Sequence, residues 1–208
     1  MEIQKELKLA LEQLRKTKER KFNQTVDLIV NLQKFNIKKD MVNTFVSLPF
    51  KIKEKKIAAF LESKNEHVST ITPEEFKKYG DKKELKMLVR KYDFFIAQSS
   101  LMPKVATVFG KILGPAGKMP SPQLGILMDI NPKVIAELKE KINRGVKLRA
   151  KEASIKLSIG KQSMKDEEII ENIMAIYNTL LKVLPKQKEN IKNVEIKFTM
   201  TKPVKIKV

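Results

Sequence analysis

The sequence predicts an α/β protein divided into two small domains, on three observations. Its 208 residues suffice for two modest cores. Apolar positions repeat with helical spacing in some stretches and with strand character in others, and the two kinds alternate through the middle of the chain. A charged stretch, Phe50-Lys51-Ile52-Lys53-Glu54-Lys55-Lys56, follows Pro49 and reads as a connector between one series of elements and the next.

Residues 3–20 set Ile3, Leu7, Ala10, Leu11 and Leu14 on one stripe amid Lys, Arg and Glu, an amphipathic helix that packs on one face. Residues 25–32 carry Val26, Leu28, Ile29, Val30 and Leu32 and favour a strand, as do 42–48 before Pro49. Beyond the connector, 57–61 and 67–71 read as short strands. A helix starts over 73–79, with Thr72 as N-cap and Glu75 closing a capping box. A buried strand over 92–97, a helix over 103–113 and a helix over 132–143, capped by Asn131 and opened by Pro132, follow. Strands alternating with helices in this way imply a small, mostly parallel, Rossmann-like sheet. Gly145 stops the last of these helices. After it come strands over 146–149 and 154–158, a long helix over 165–184 ended by Pro185, and strands over 194–200 and 204–208. In the last, Lys205 and Lys207 alternate with Val204, Ile206 and Val208, so both lysines share one face.

Charge narrows the partner. Lys plus Arg number 43 against 24 Asp plus Glu, a formal net charge of +19, and a polyanion is the natural ligand for such an excess. Residues 1–51 with 145–208 carry +12 and residues 52–144 carry +7, so charge alone does not choose a binding domain. A membrane is not expected, because no apolar run approaches the length of a span and no cysteine is available for lipidation. Zero cysteines exclude disulfides and thiolate metal sites, and the single histidine, His67, excludes paired imidazoles. No metal and no cofactor are therefore expected. The charged amino-terminal helix lacks the apolar core of a signal peptide, which points to the cytoplasm.

Several motifs could carry chemistry. Leu113 to Pro122 concentrates two glycines and three prolines, but a phosphate loop would need Gly where Ile112 stands and Ser or Thr where Met119 stands. It reads as a rigid surface loop. Ser99 and Ser100 lack a nearby His and acid for a triad, and His67 reads as a surface or packing residue. Asp166, Glu167 and Glu168 open a helix, where carboxylates favour the positive end of its dipole, and do not need a metal to explain them. No catalytic residue is expected. Arg20-Lys21-Phe22-Asn23-Gln24-Thr25 sets an aromatic ring beside cations and amides at a helix-to-strand transition, a position suited to an RNA backbone and an unstacked base. On composition alone Phe22 reads more readily as core than as a contact.

Five segments together carry a resemblance. Lys21-Phe22-Asn23-Gln24-Thr25-Val26, Val46-Ser47-Leu48-Pro49, Leu113-Gly114-Pro115-Ala116-Gly117-Lys118-Met119-Pro120, Ile159-Gly160-Lys161-Gln162-Ser163-Met164 and Thr199-Met200-Thr201-Lys202-Pro203 occur in order across the whole chain. The sequence resembles the L-one family of large-subunit ribosomal proteins, the stalk proteins beside the tRNA exit site, and its Met119 and Lys202-Pro203 look like the archaeal type. The resemblance implies a discontinuous α+β domain formed by both chain ends, 1–51 and 145–208, with an inserted Rossmann-like α/β domain over 52–144. It implies that the discontinuous domain holds the main RNA site, at Lys21, Phe22, Thr25, Asp27, Arg149, Lys161, Ser163, Asn193, Thr199, Met200 and Thr201. Thr201 replaces the usual family Gly and puts bulk where RNA would approach closely. Ala116 replaces a common Arg, leaving Lys118 as a secondary RNA contact.

The implied role is non-enzymatic: a structural constituent that binds the rRNA of the mobile stalk, assists release of deacylated tRNA and represses translation of its own mRNA. The implied partners are the large-subunit rRNA stalk, tRNA at the exit site and that mRNA, the protein being a monomer when free of the ribosome. Two other readings stay open on the residues alone, a nucleotide-using α/β enzyme and a basic RNA chaperone without a defined target.

Overall fold

In the computed structural model, α1 (Glu2–Arg15) buries Leu7, Ala10, Leu11 and Leu14, as their spacing predicts. Each such leucine stabilises the fold by roughly 1.5–3 kcal/mol through apolar area withdrawn from water. The structure describes all residues except 1, 19, 37–39, 41, 66, 67, 80, 123, 129, 130, 151, 207 and 208. The readings of His67 and of Lys207 and Val208 lie outside the described residues.

The chain divides into two compact units, Met1–Ile52 with Arg144–Val208, and Lys53–Asn143. After α1, the first unit continues with β1 (Thr25–Leu32) and β2 (Asn43–Ser47). The mixed run of apolar residues in β1 sorts cleanly in three dimensions. Val26, Leu28, Val30 and Leu32 are buried, while Thr25, Asp27, Ile29 and Asn31 are half-buried on the opposite face.

The second unit carries β3 (Ile57–Phe60), β4 (Ser69–Ile71), a 3-10 helix (Pro73–Tyr79), α2 (Lys82–Lys91), β5 (Phe94–Gln98), α3 (Met102–Ala116), β6 (Ile126–Leu127) and α4 (Pro132–Arg144), the last of which ends one residue inside the first unit. The sheet is parallel, in the order β4-β3-β5-β6. Its two faces feed separate cores. Ala58, Phe60, Phe95 and Ala97 pack with Leu85 and Leu88 of α2 and Val105, Phe109 and Leu113 of α3, whereas Ile57, Ala59 and Ile96 pack with Ile135 and Ile142 of α4. Helices on both faces of a parallel sheet make this the Rossmann-like arrangement expected.

Three local readings need correction. Residues 73–79 form a 3-10 helix in place of an α-helix, and the Glu75 N–H donates to the Thr72 carbonyl at 2.9 Å. The α-helix of this region is α2, which the apolar pattern did not announce because only Leu85 and Leu88 of its ten residues are buried hydrophobics. Leu113 does not end its helix either. α3 runs on through Gly114, Pro115 and Ala116, then stops where Gly117 turns left-handed at φ 71°. The Gly117 N–H donates to Gly114 and the Lys118 N–H to Leu113, which satisfies the last carbonyls of the helix. The glycine-proline segment is thus largely a helix end.

From α4 the chain enters β7 (Gly145–Arg149), which pairs with β2 antiparallel. Gly145 is required there by space, since a Cβ would lie 1.7 Å from Cε1 of Phe45. Gly145→Ala is expected to cost about 1–3 kcal/mol of stability, as overpacking does. Denaturant unfolding checks this, and Phe45→Leu in the same background should restore part of the loss.

β8 (Ser154–Lys161), α5 (Asp166–Val183), β9 (Ile191–Phe198) and β10 (Val204–Ile206) complete the first unit. Its main sheet is antiparallel, in the order β10-β9-β1-β8. A bulge at Val26/Asp27 leaves Ile159 as the extra residue of β8. α1 and α5 cover one face, where Ile169, Ile173, Ile176 and Leu180 join the leucines of α1. The opposite face carries Asp27, Asn31, Ser158, Asn193 and Lys197 and meets no helix among the described residues.

Candidate nucleic-acid interface

One end of the main sheet gathers three loops, residues 20–24 before β1, 161–165 after β8 and 199–203 between β9 and β10. Gln24 joins them. Its side chain is 1% exposed, its Oε1 accepts from the Met200 N–H at 3.1 Å, its Nε2 donates to Gln162 Oε1 at 3.3 Å, and its carbonyl accepts from the Gln162 N–H at 2.8 Å. Asn23 and Ser163 bond reciprocally, Asn23 Nδ2 to Ser163 Oγ at 2.8 Å and Ser163 N–H to Asn23 Oδ1 at 3.2 Å. Thr199 accepts from the Thr25 N–H at 3.0 Å through Oγ1 and donates its own N–H to the Thr25 carbonyl at 3.1 Å.

Arg15, in the last turn of α1, holds the middle loop from beneath. Its guanidinium donates to the carbonyls of Gln162 at 3.0 Å and Met164 at 2.8 Å, and pairs with Asp166 at 2.6 Å. Glu168 accepts from the Lys165 N–H and caps α5, while Asp166 is held by Arg15. Among the described residues no group of three His, Cys, Asp or Glu side chains is placed to hold a metal ion.

Thr201 fits its turn without strain. Its φ is not positive, its N–H donates to the Phe198 carbonyl at 3.1 Å, and its hydroxyl accepts from the Phe198 N–H at 2.9 Å. The hydroxyl closes a turn that glycine would close by backbone alone.

These ties leave two large side chains outside. Phe22 is 51% exposed and Met200 58% exposed, so Phe22 is not a core residue as composition favoured. Lys21 and Ser163 are exposed beside them, and Lys161 is half-buried opposite Thr25. Asp27 lies one step along the helix-free face, opposite Lys197. Burial raises its pKa, and Lys197 pulls it back down.

The remaining predicted residues lie elsewhere. Asn193 accepts from Asn31 Nδ2 at 2.7 Å, towards the other end of β1, and Arg149 is exposed on the two-stranded β2–β7 ribbon. Lys118 belongs to the other unit and turns inward. Its ammonium donates to the carbonyls of Val89 at 2.6 Å and Tyr92 at 2.7 Å, capping α2. Lys118→Ala should cost the parallel-sheet unit about 1–3 kcal/mol through two orphaned carbonyls. Thermal unfolding of the variant, with RNA affinity measured alongside and expected to change little, checks it.

Gln24, Gln162 and Arg15 were not singled out from the sequence. A signal for Gln24 was present, because its parity places it on the same side as Val26 and Leu28, inward. Gln24→Leu keeps the volume and removes both side-chain bonds. We expect RNA affinity to fall about tenfold, as for roughly 1.4 kcal/mol, while Gln24→Glu, which keeps the acceptor for Met200, loses less. An affinity equal to that of the unsubstituted chain in both variants would remove Gln24 from the interface.

Nucleotide chemistry finds no support in the parallel-sheet unit. At the carboxyl ends of β3 and β5, where such sheets take ligands, Glu62 accepts from Ser100 Oγ at 3.0 Å and its N–H donates to Gln98 Oε1 at 3.3 Å. No helix of the described residues is long and apolar enough to cross a membrane.

The model of the ribosomal protein L1p/L10e family matches residues 14–202. The large ribosomal subunit protein uL1 of Thermofilum pendens is 38% identical over 203 residues, covering 91% of this chain and 86% of the relative. That of Pyrobaculum islandicum is 37% identical over 205 residues, covering 93% and 89%, and that of Nanoarchaeum equitans 32% identical over 203 residues, covering 92% and 95%.

Proposed function

The chain belongs to the ribosomal protein L1p/L10e family, and from that premise we propose that it binds the rRNA of the mobile stalk beside the tRNA exit site through the loop-bearing end of its main sheet. It is a structural, non-enzymatic constituent of the large ribosomal subunit, of archaeal type, and RNA binding is general to its family. The observation that carries the finer reading is the exposure of Phe22 and Met200, two large apolar side chains on loops tied together through Gln24. Preorganised apolar groups beside Lys21 and Lys161 can cover an unstacked base or sugar without paying to order the loops.

The RNA-binding domain in this reading comprises residues 1–51 and 145–208, and residues 52–144 form the inserted domain. Contacts run from Lys21, Phe22, Thr25 and Asp27 to Lys161, Ser163, Thr199, Met200 and Thr201, with Arg149 and Asn193 extending them. Lys118 is the secondary contact, its role limited by the two carbonyls it already caps. The bound stalk assists the departure of deacylated tRNA, and excess free protein, a monomer, occupies a similarly folded site in its own mRNA and represses translation. That second role needs no additional surface.

Titrating the full chain with the stalk rRNA fragment and with an unrelated hairpin across a range of salt tests the proposal. Specific binding gives a tighter complex with the stalk fragment at every salt concentration, and equal affinities would return the protein to a general basic RNA binder.

A further inference from the structure

A groove of about 340 Å³ runs along the far side of Met200. One wall is the end of α1 and the residues after it, Leu14, Thr17, Lys18 and Arg20, and the other is the approach to β10, Met200 with Lys202 and Pro203. Its volume sits at the low end of small-molecule sites, which span ~300–1,000 Å³, the scale of a nucleotide and too small for a helix.

Its chemistry is of two kinds. Leu14 is buried and Pro203 and Val204 are apolar, so the floor offers a dry surface for a flat ring. Lys18, Arg20 and Lys202 are exposed around it, and no acidic residue lines it among the described residues, Glu19 lying outside them. The two hydroxyls in its walls are already engaged, Thr17 Oγ1 with the Leu14 carbonyl at 2.6 Å and Thr201 Oγ1 within its turn. Little is left to read a base edge. Apolar side chains beside exposed cations can take a base by burial of its apolar area and a phosphate by charge, whatever the base.

We propose that this groove binds one unstacked nucleotide of the RNA, so that the strand leaving the Phe22–Met200 interface passes over Met200 and seats its next unpaired residue between α1 and β10. The inference rests on the RNA-binding reading above and adds a second subsite to it. Met200 belongs to both. Its N–H is fixed by Gln24, and the residue also lines the groove. The subsite contributes affinity without sequence preference, and most of that affinity is electrostatic.

The test uses the full chain and the stalk rRNA fragment. A photoreactive benzoyl-phenylalanine at Gln13, an exposed groove residue, should cross-link to a single unpaired nucleotide. Lys18→Ala with Lys202→Ala should weaken binding about tenfold at about 0.15 M salt and flatten the log–log salt slope by about 0.9 for each phosphate no longer neutralised, with the melting temperature unchanged. Replacing the cross-linked nucleotide by another base should leave affinity within about twofold, whereas an abasic residue there should lower it further, through loss of the apolar area that a base would bury. Tight binding by the unsubstituted chain with no RNA cross-link and an unaltered slope in the double variant overturns the groove and leaves the rRNA reading standing. Cross-linking to a neighbouring protein in intact subunits overturns it equally. Failure of the unsubstituted chain to prefer the stalk fragment over an unrelated hairpin removes the RNA-binding reading and the groove with it.

Discussion

Phe22→Ala is expected to weaken the complex with stalk rRNA by roughly 1–3 kcal/mol, about five- to a hundredfold, the range found when an aromatic platform is removed from an unstacked base. The ring is half exposed, so its truncation withdraws little from the core, and the melting temperature should hold. Met200→Ala should act in the same direction. The two side chains sit on segments joined through Gln24, so the double variant should lose less, or more, than the sum of the single ones. Filter binding or anisotropy at fixed salt reads the loss, and calorimetry of the free protein reads stability. A sharp fall in melting temperature with affinity intact would turn Phe22 back into a packing residue.

Asn172→Leu carries the largest expected effect on stability. Asn172 is fully buried in α5; its Oδ1 accepts from the Phe50 N–H at 3.0 Å, and its Nδ2 donates to the Phe50 carbonyl at 3.2 Å and to the Ile159 carbonyl at 3.0 Å. Ile159 is the extra residue of the β8 bulge. One side chain therefore serves both the bulge and the end of the first chain segment. An apolar replacement of similar size strands all three backbone groups, for a cost of roughly 3 kcal/mol or more at about 1–3 kcal/mol each. The denaturant midpoint should drop with its slope unchanged. An unmoved midpoint would mean that solvent reaches these groups.

The parts of this protein that were legible beforehand are those whose signal is local and repeated. The stripe of α1 and the strand at 25–32 needed only apolar spacing, and β1 begins and ends at the predicted residues. α2 was not legible, because two buried leucines among charged residues make too narrow a stripe, and its packing partner α3 is what makes it a helix of the core. The end of α3 was misread for the opposite reason. Glycine and proline announce a loop locally, but Pro115 sits in the last turn, where it removes only one hydrogen bond at the end of the ladder, and Gly117 supplies the stop.

At the proposed interface, the exposed side chains were named by likeness, while the residues that tie their loops together were not. Gln24 and Gln162 touch only because β1 and β8 are neighbours, and Arg15 reaches Gln162 across 147 residues of sequence. Thr201 shows the limit of a family pattern from the other side: a residue that looked too large for its place supplies a hydroxyl that completes the turn.

The strand order β10-β9-β1-β8 has a consequence for biogenesis. β1 leaves the ribosome early, yet both of its sheet neighbours are made after residue 153, and the third loop of the interface after residue 198. Every element of the parallel-sheet unit is already synthesised by residue 144. Domains tend to fold as they emerge, at about 5–20 residues per second, so the inserted unit can be complete while α1 and β1 still wait for their partners. A nascent chain interrupted before β9 would lack Thr199, Met200 and the bonds that order Gln24. On the reading proposed above, RNA binding would begin only once β9 and the loop after it have been made.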